Sequence, residues 1–337
     1  MKKVLFLLSA SSKIGLGHFY RCSVFSTKLQ KKKIKTILLN TENSEKLKIF
    51  NKSFSEYINF NLKKKNNFLK EFLRIHKIIN PDYVIIDTPI INSDVRKKLR
   101  DKNILWLEFA NGKKNLKLPA QVINTIPYSK KTLSNTSKKK NYYGHEFSFL
   151  RKEFFKKINF NKKRIERKKI FLCFGGGDDR GLYKFIINIM FNFQSLIKEI
   201  NILCSDYNVN KKLRSLNNNF NKSNKNFFNI YYNQSNFVNL IDNSNLIFVT
   251  GGGITHEINV RMKKMNIISI TNNQILQSKR WEKFGHNYLG EFNKKNEPYL
   301  RNKIIKILKQ TNKVYIKRNI FKDSTNIIIN DTIKIIK

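Results

Sequence analysis

The sequence predicts an α/β protein with two Rossmann-like domains in series, and two features of the 337-residue chain predict it. Short apolar runs alternate with longer amphipathic segments almost throughout, which is typical of βαβ units on a parallel sheet. Glycine-rich loops follow the apolar runs 4–8 and 170–174, so each half begins with a strand, a glycine loop and a helix. A prior of about 150 residues per domain agrees with two domains.

The elements of the first half follow from this alternation. Strands are predicted at 4–8, 35–39, 83–86, 104–107 and 121–124. Helices are predicted at 18–30, 66–79 and 94–99. Ser93 is the predicted N-cap of the third helix, because a serine hydroxyl can accept a hydrogen bond from a free N–H of the first turn.

The second half repeats the pattern after a lysine-rich stretch. Strands are predicted at 170–174, 199–203, 227–231, 246–249 and 266–270, and helices at 182–196, 299–310 and 325–336. The last helix could fold back on the other domain. We place the boundary within 156–168, which gives domains 1–155 and 168–337. Ligands of such sheets bind at the carboxyl ends of the strands, so a central cleft between the halves is the predicted ligand site.

The net charge of +44 comes from 67 Lys and Arg against 23 Asp and Glu. The excess lysine is spread along the chain together with abundant Asn, Ile and Phe, so compositional bias explains it better than a nucleic-acid patch. Three cysteines without CxxC spacing argue against a disulfide framework or a zinc site, and we expect reduced thiols in a cytoplasmic protein. No segment approaches the roughly 20 apolar residues of a membrane span. The oligomeric state is not fixed by the sequence.

The first chemical motif is Gly15-Leu16-Gly17-His18, with Arg21 one turn later. The glycines allow tight turns and close approach of a ligand, and the helix start offers free N–H groups. His18 lies at that positive end, where a neutral imidazole can accept a proton as a general base. We predict Gly15, Gly17 and Arg21 as substrate contacts. The alternative is a histidine that caps or packs at the helix start.

The second motif follows the strand 246–249 and comprises the glycines 251–253, then Thr255, His256 and Glu257. A flexible backbone before a helix start can hold a diphosphate. Thr255 can add a hydroxyl donor, and the Glu257 carboxylate can accept hydrogen bonds from ribose hydroxyls. The alternative is a structural turn with a glutamate in the first helical turn. His256 is interpreted as an exposed neighbour.

Three further positions follow strands. Asp178 lies in the loop 175–179, and sugar binding and N-capping explain it equally well. Asn273 and Gln274 follow the strand 266–270, where side-chain amides can bind sugar or phosphate groups, or form an ordinary polar loop. Asp87 ends the strand 83–86 and is the best carboxylate partner in the first half, although capping is an equal alternative.

These residues together resemble a known family. The order is Gly15-x-Gly17-His18-x-x-Arg21, Asp87, Arg151 within 149–154, the glycines and aspartate at 175–178, the loop 251–257, and Asn273-Gln274. This order is similar to the PseG-type UDP-sugar hydrolases, whose relatives include SpsG and, more remotely, the MurG-type glycosyltransferases. The resemblance covers roughly the whole chain. One departure is Lys263-Lys264-Met265-Asn266, where the family usually has Gly-x-Pro.

The resemblance implies a GT-B fold and an enzyme that needs no metal and no cofactor. It implies that water cleaves the anomeric C–O bond of a UDP-linked 2,4-diacetamido-2,4,6-trideoxy sugar with inversion, releasing UDP and free sugar on the route to pseudaminic acid. On this basis His18 is catalytic with Asp87 as its partner, Asn273 and Gln274 border the sugar, Glu257 holds the ribose, and the glycines 251, 252 and 253 hold the diphosphate.

Two other readings compete with hydrolysis. A UDP-sugar-dependent glycosyltransferase of the same fold would transfer the sugar to an acceptor instead of water. A non-enzymatic nucleic-acid-binding protein would show a concentrated basic face and salt-sensitive binding. The last reading leaves both strand–glycine–helix loops unexplained, so we rank it behind the two enzymes.

Overall fold

The computed structural model describes residues 1–11, 15–42, 51–60, 67–110, 121–127, 141–158, 167–175, 177–220, 228–234, 236–310, 315–316 and 321–337. The chain divides into two units. The first comprises Met1–Leu150 and Lys322–Lys337, and the second comprises Arg151–Phe321. The first unit is therefore discontinuous in sequence, because the last helix belongs to it.

The first unit is built on a parallel sheet with the order β3-β2-β1-β4-β5-β6-β7 over the described residues. The strands are β1 (Lys3–Leu8), β2 (Lys35–Asn40), β3 (Glu56–Asn59), β4 (Tyr83–Asp87), β5 (Trp106–Phe109), β6 (Gln121–Asn124) and β7 (Tyr142–Tyr143). The helices are α1 (Gly17–Gln30), α2 (Phe68–Ile79), α3 (Ser93–Asp101) and, from the end of the chain, α10 (Thr325–Ile336).

Both faces of this sheet are covered, which explains why its strands read as continuous apolar runs. Val4, Phe6 and Leu8 of β1 pack in a core with α1 and α10. Leu5 and Leu7, which point to the other face, pack with α2 and α3.

The second unit repeats this architecture with the strand order β10-β9-β8-β11-β12-β13. The strands are β8 (Lys168–Cys173), β9 (Ile197–Cys204), β10 (Phe228–Tyr232), β11 (Leu246–Thr250), β12 (Asn266–Ser269) and β13 (Asn287–Glu291). The helices are α4 (Leu182–Phe191), α5 (Tyr207–Phe220), α6 (Val238–Asp242), α7 (Ile254–Val260), α8 (Asn272–Trp281) and α9 (Glu297–Lys309). The described ladders between neighbouring strands are parallel.

The structure differs from the predicted elements in a few places. The N-cap of α3 is Asn92, whose Oδ1 accepts a hydrogen bond of 2.9 Å from the Val95 N–H, so the prediction of Ser93 was wrong by one residue. Helix α4 ends at Phe191 and not at residue 196. Strands β3 and β13 were not predicted, because Glu56–Asn59 is polar and Asn287–Glu291 contains a glycine.

Candidate functional site

His18, Arg21 and Asp87 form one hydrogen-bonded cluster at the carboxyl edge of the first sheet. Asp87 is the last residue of β4 and its side chain is fully buried, whereas His18 and Arg21 lie in the first turns of α1. His18 Nδ1 lies 2.7 Å from Asp87 Oδ1. Arg21 donates to both carboxylate oxygens, with Nε 2.5 Å from Oδ2 and Nη2 bonded to Oδ1. The predicted pairing of His18 with Asp87 is thus present in the geometry.

The charges in this cluster keep Asp87 ionised. Burial alone would raise the pKa of the carboxyl group, but the charges and hydrogen bonds of Arg21 and His18 lower that pKa well below its ordinary value. An ionised carboxylate accepts hydrogen bonds and cannot donate, so the proton in the His18–Asp87 bond lies on Nδ1. In the neutral form of His18, Nε2 is then the proton acceptor.

Two neighbours of this cluster gave no signal in the sequence. The guanidinium carbon of Arg21 lies 4.6 Å from the centre of the Phe109 ring, which fixes the plane of the side chain. Cys22 Sγ donates to Asp87 Oδ2 at 3.6 Å, and burial raises the pKa of this thiol, so it remains neutral. Arg21 was predicted to contact the substrate; in the structure it donates to Asp87, and its Nη2 also lies 3.0 Å from His18 Nδ1.

The loop before α1 turns sharply. Gly15 has a φ of 98°, a left-handed conformation that favours glycine, and its N–H donates to the Ser11 carbonyl at 2.7 Å. A Cβ at Gly17, the first residue of α1, would meet no atom within 4 Å. The N-cap residue Leu16 makes no side-chain capping hydrogen bond.

The glycine loop of the second unit is held closely against α8. A Cβ at Gly251 would lie 2.1 Å from Ser278 Oγ and 2.9 Å from the Gln274 carbonyl oxygen, so only glycine fits. Gly252 and Gly253 have no atom within 4 Å of a Cβ position. The loop leads directly from β11 into the N-terminus of α7.

Thr255 is fully buried, and its hydroxyl is used inside the protein. Oγ1 donates to the Gly252 carbonyl at 2.7 Å and accepts hydrogen bonds of 2.9 Å from Gln277 Nε2 and from Trp281 Nε1. This arrangement favours a role in holding the glycine loop. His256 is only 5% exposed and packs edge-on against Trp281, so the interpretation of an exposed neighbour was wrong.

Glu257 pairs with Arg151 within the second unit. Oε1 of Glu257 accepts hydrogen bonds from Arg151 Nη2 at 2.9 Å and from Nε at 3.2 Å. Burial raises the pKa of Glu257, and the Arg151 charge opposes that increase. Arg151 is one of the residues that carry the family resemblance, but the sequence analysis predicted no contact for it.

The remaining predicted residues are more open. Asp178 is exposed, with Oδ1 accepting from the Arg180 N–H at 3.0 Å, whereas Asp179 Oδ2 accepts from the Tyr183 N–H in the first turn of α4. Asn273 is exposed at the start of α8, and its Oδ1 accepts from Thr271 Oγ1. Gln274 is half-buried, and its Oε1 accepts from the Ile270 N–H at 3.0 Å.

The described part of the chain shows neither a metal-ligand cluster nor a membrane-spanning helix. Within the described ranges, no three His, Cys, Asp or Glu side chains lie together as possible metal ligands. No helix in that part of the chain has both the length and the apolar character of a membrane span.

Comparisons with known proteins support the fold. No family model matches the chain. A Methanocaldococcus jannaschii protein described as uncharacterised is 28% identical over an alignment of 267 residues, which covers 75% of this chain and 52% of that protein. The chain therefore spans about half the length of the curated relative that it matches.

Solved structures match almost the whole chain. UDP-GlcNAc 2-epimerase from Methanocaldococcus jannaschii in complex with UDP-GlcNAc and UDP has a TM-score of 0.65 at 15% identity and covers 98% of this chain and 99% of its own. UDP-GlcNAc 2-epimerase from Neisseria meningitidis bound to UDP-GlcNAc has a TM-score of 0.65 at 12% identity, covering 98% and 100%. MurG from Acinetobacter baumannii has a TM-score of 0.62 at 11% identity, covering 99% and 100%. Identities this low show the fold alone, and the chain has the GT-B fold of two parallel-sheet α/β domains, as predicted.

Proposed function

We propose that this protein is an enzyme that binds a UDP-sugar and hydrolyses its anomeric C–O bond. The observation that carries the proposal is the His18–Asp87–Arg21 cluster, which combines an ionised buried carboxylate, an oriented imidazole and a glycine loop at the carboxyl edge of a parallel sheet. The solved structures of similar fold include proteins bound to UDP-GlcNAc and UDP, which supports this ligand class.

In the proposed reaction, water attacks the anomeric carbon and His18 Nε2 takes a proton from that water. The new bond joins the water oxygen to the carbon, and the bond to the β-phosphate oxygen breaks with its electron pair leaving on UDP. Asp87 holds the Nδ1 proton and stabilises the imidazolium that forms. Arg21 acts through Asp87, which it fixes with two hydrogen bonds.

The proposed nucleotide contacts lie in the second unit. The diphosphate binds the glycines 251–253 and the N-terminus of α7, whose positive dipole end favours an anion. The Glu257 carboxylate accepts hydrogen bonds from the ribose. Asn273, Gln274 and Asp178 remain proposed sugar contacts, and the exposure of Asn273 and Asp178 leaves their polar atoms accessible.

The test uses the purified protein with UDP-2,4-diacetamido-2,4,6-trideoxy-altrose and no acceptor. We expect release of UDP, and we expect His18→Ala to abolish it. In water labelled with heavy oxygen, the label should appear in the free sugar, because the C–O bond is the one that breaks. A label in UDP would indicate attack at phosphorus and would reject the mechanism.

The second candidate is a UDP-sugar-dependent glycosyltransferase, which the similarity of fold to MurG favours. Its signature is UDP release that depends on an added acceptor. Binding of UDP without release in water would favour this transferase, and no binding of UDP would reject both enzymes.

A further inference from the structure

Arg151 is the first residue of the second unit, and the function proposed above leaves it without a role. Its guanidinium donates from both Nε and Nη2 to Oε1 of Glu257, at 3.2 and 2.9 Å. Both donors therefore form hydrogen bonds with the same carboxylate oxygen. The two side chains are 12% and 14% exposed, so solvent screens this pair only weakly.

The position of Arg151 is fixed by its surroundings. Its guanidinium carbon lies 4.9 Å from the centre of the Phe154 ring and 5.0 Å from that of Phe237, and both rings are buried. Arg261, at the end of α7, donates to the Phe154 carbonyl at 3.1 Å and pairs with Asp242. The backbone after Arg151 is thus tied to the helix that carries Glu257.

The second oxygen of Glu257, Oε2, has no hydrogen-bond partner among the residues that the structure describes. Oε2 is not a fully enclosed atom. It is therefore an acceptor that a ligand with two adjacent hydroxyl groups can reach. Glu257 lies in the first turn of α7, next to the loop proposed to hold the diphosphate.

We propose that Arg151 is a positioning residue that holds Glu257 through Oε1 so that Oε2 accepts hydrogen bonds from the vicinal ribose hydroxyls. The proposal rests on the proposed UDP-sugar function. Arg151 also opposes the effect of burial, which by itself would favour a protonated Glu257, and Glu153 is the other charged group near this carboxylate. Arg151 touches no ligand in this proposal and acts only through Glu257.

The test is a binding cycle with two proteins and two nucleotides. The dissociation constants of UDP and of 2′,3′-dideoxy-UDP are measured by calorimetry for the wild type and for Arg151→Gln. We expect Arg151→Gln to weaken UDP binding by about tenfold, the usual loss for a hydrogen bond to a charged group. The variant should bind the dideoxy nucleotide as the wild type does, because the hydroxyls that Glu257 serves are missing.

Control variants separate this outcome from a general loss of structure. Arg74→Gln removes an arginine that pairs with Glu71 on the exposed surface of the first unit, and it should change neither affinity. Arg151→Lys keeps the charge but lacks the two guanidinium donors that bond Oε1. We therefore expect an intermediate loss of affinity for UDP. Thermal unfolding of each variant shows whether the fold is retained.

Each result decides the proposal. Equal losses of affinity for both nucleotides would indicate that Arg151 acts on the phosphates or on folding, and would overturn the inference. The proposed function would stand in that case, because the wild type would still bind UDP. Unchanged affinities in both Arg151 variants would also overturn it. A wild type that binds no UDP would reject the proposed function and this inference together.

Discussion

Replacing Asp87 by asparagine is the sharpest test of the proposed catalytic cluster, because it alters charge with little change of shape. Asp87 is fully buried and accepts hydrogen bonds from Arg21 and His18. An asparagine can still accept through one oxygen, but its NH₂ group would face either the Arg21 guanidinium or the His18 N–H. The substitution therefore leaves a largely buried guanidinium without a counter-charge and the imidazole without a fixed tautomer.

The expected magnitudes follow from these two losses. Breaking a buried ion pair by removing one partner costs about 3–5 kcal/mol, so the free energy of unfolding should fall by about that amount. A general base contributes about 10²–10⁴-fold to a rate, so UDP release should fall within that range. His18→Ala, in contrast, should lose the same activity with a smaller loss of stability, because His18 is 22% exposed.

The assays are UDP release from the UDP-sugar substrate and urea unfolding at neutral pH, both with the wild type and His18→Ala as references. Asp87→Asn with wild-type turnover would refute the proposed role of the His18–Asp87 pair. A loss of stability below about 1 kcal/mol would refute the assignment of Asp87 as an ionised partner of a buried arginine.

The pH dependence of stability gives a second readout of the same substitution. The pKa of Asp87 is lower in the folded protein than in the unfolded chain, so the unfolded chain takes up the proton first as the pH falls. The stabilisation is complete above about pH 5 and is lost below the ordinary aspartate pKa of about 3.9. The difference in unfolding free energy between wild type and Asp87→Asn should therefore shrink as acid is added, and a constant difference would contradict the lowered pKa.

Three further predictions concern the second unit. Gly251→Ala should destabilise the protein and weaken UDP binding, because its Cβ would collide with α8, whereas Gly253→Ala should be tolerated in thermal unfolding; equal effects would contradict the packing argument. Thr255→Val should cost about 1–3 kcal/mol in urea unfolding, because the buried Trp281 N–H loses its acceptor, and an unchanged midpoint would show that another acceptor replaces it. Burial lowers the pKa of Lys263 to about 8, against about 10.4 in an unfolded chain, so stability should rise with pH between these values, and Lys263→Met should remove that rise. A rise that persists in Lys263→Met would assign it to another group.

The sequence predicted the architecture well, because the spacing of apolar residues and the glycine-rich loops between elements are local signals. Each half begins with a buried strand, a glycine loop and a helix, and the apolar strands match sheets covered on both faces. The strands β3, β7 and β13 were not predicted, because tertiary pairing, and not local composition, decides these short elements.

The site was predicted less completely, because hydrogen-bond partners far apart in the chain leave no local pattern. The spacing of the first motif made His18 a candidate, and the strand end made Asp87 one, but only the fold brings Arg21 to both oxygens of that carboxylate. Likewise, no local signal connects Arg151 with Glu257, which are 106 positions apart.

The positive net charge of the chain does not by itself indicate a function, because the arginines at both candidate sites are paired with carboxylates. Arg21 pairs with Asp87, and Arg151 pairs with Glu257, so each arginine charge is matched by a carboxylate. A nucleic-acid site needs cationic side chains that are free to reach phosphates. An uncharged ribose or sugar needs carboxylates that are held in one orientation and keep an acceptor available. The Arg151–Glu257 pair has the second arrangement, because Glu257 Oε2 stays available, whereas both oxygens of Asp87 are bonded within its own cluster. For this reason we favour nucleotide-sugar chemistry over nucleic-acid binding despite a net charge of +44.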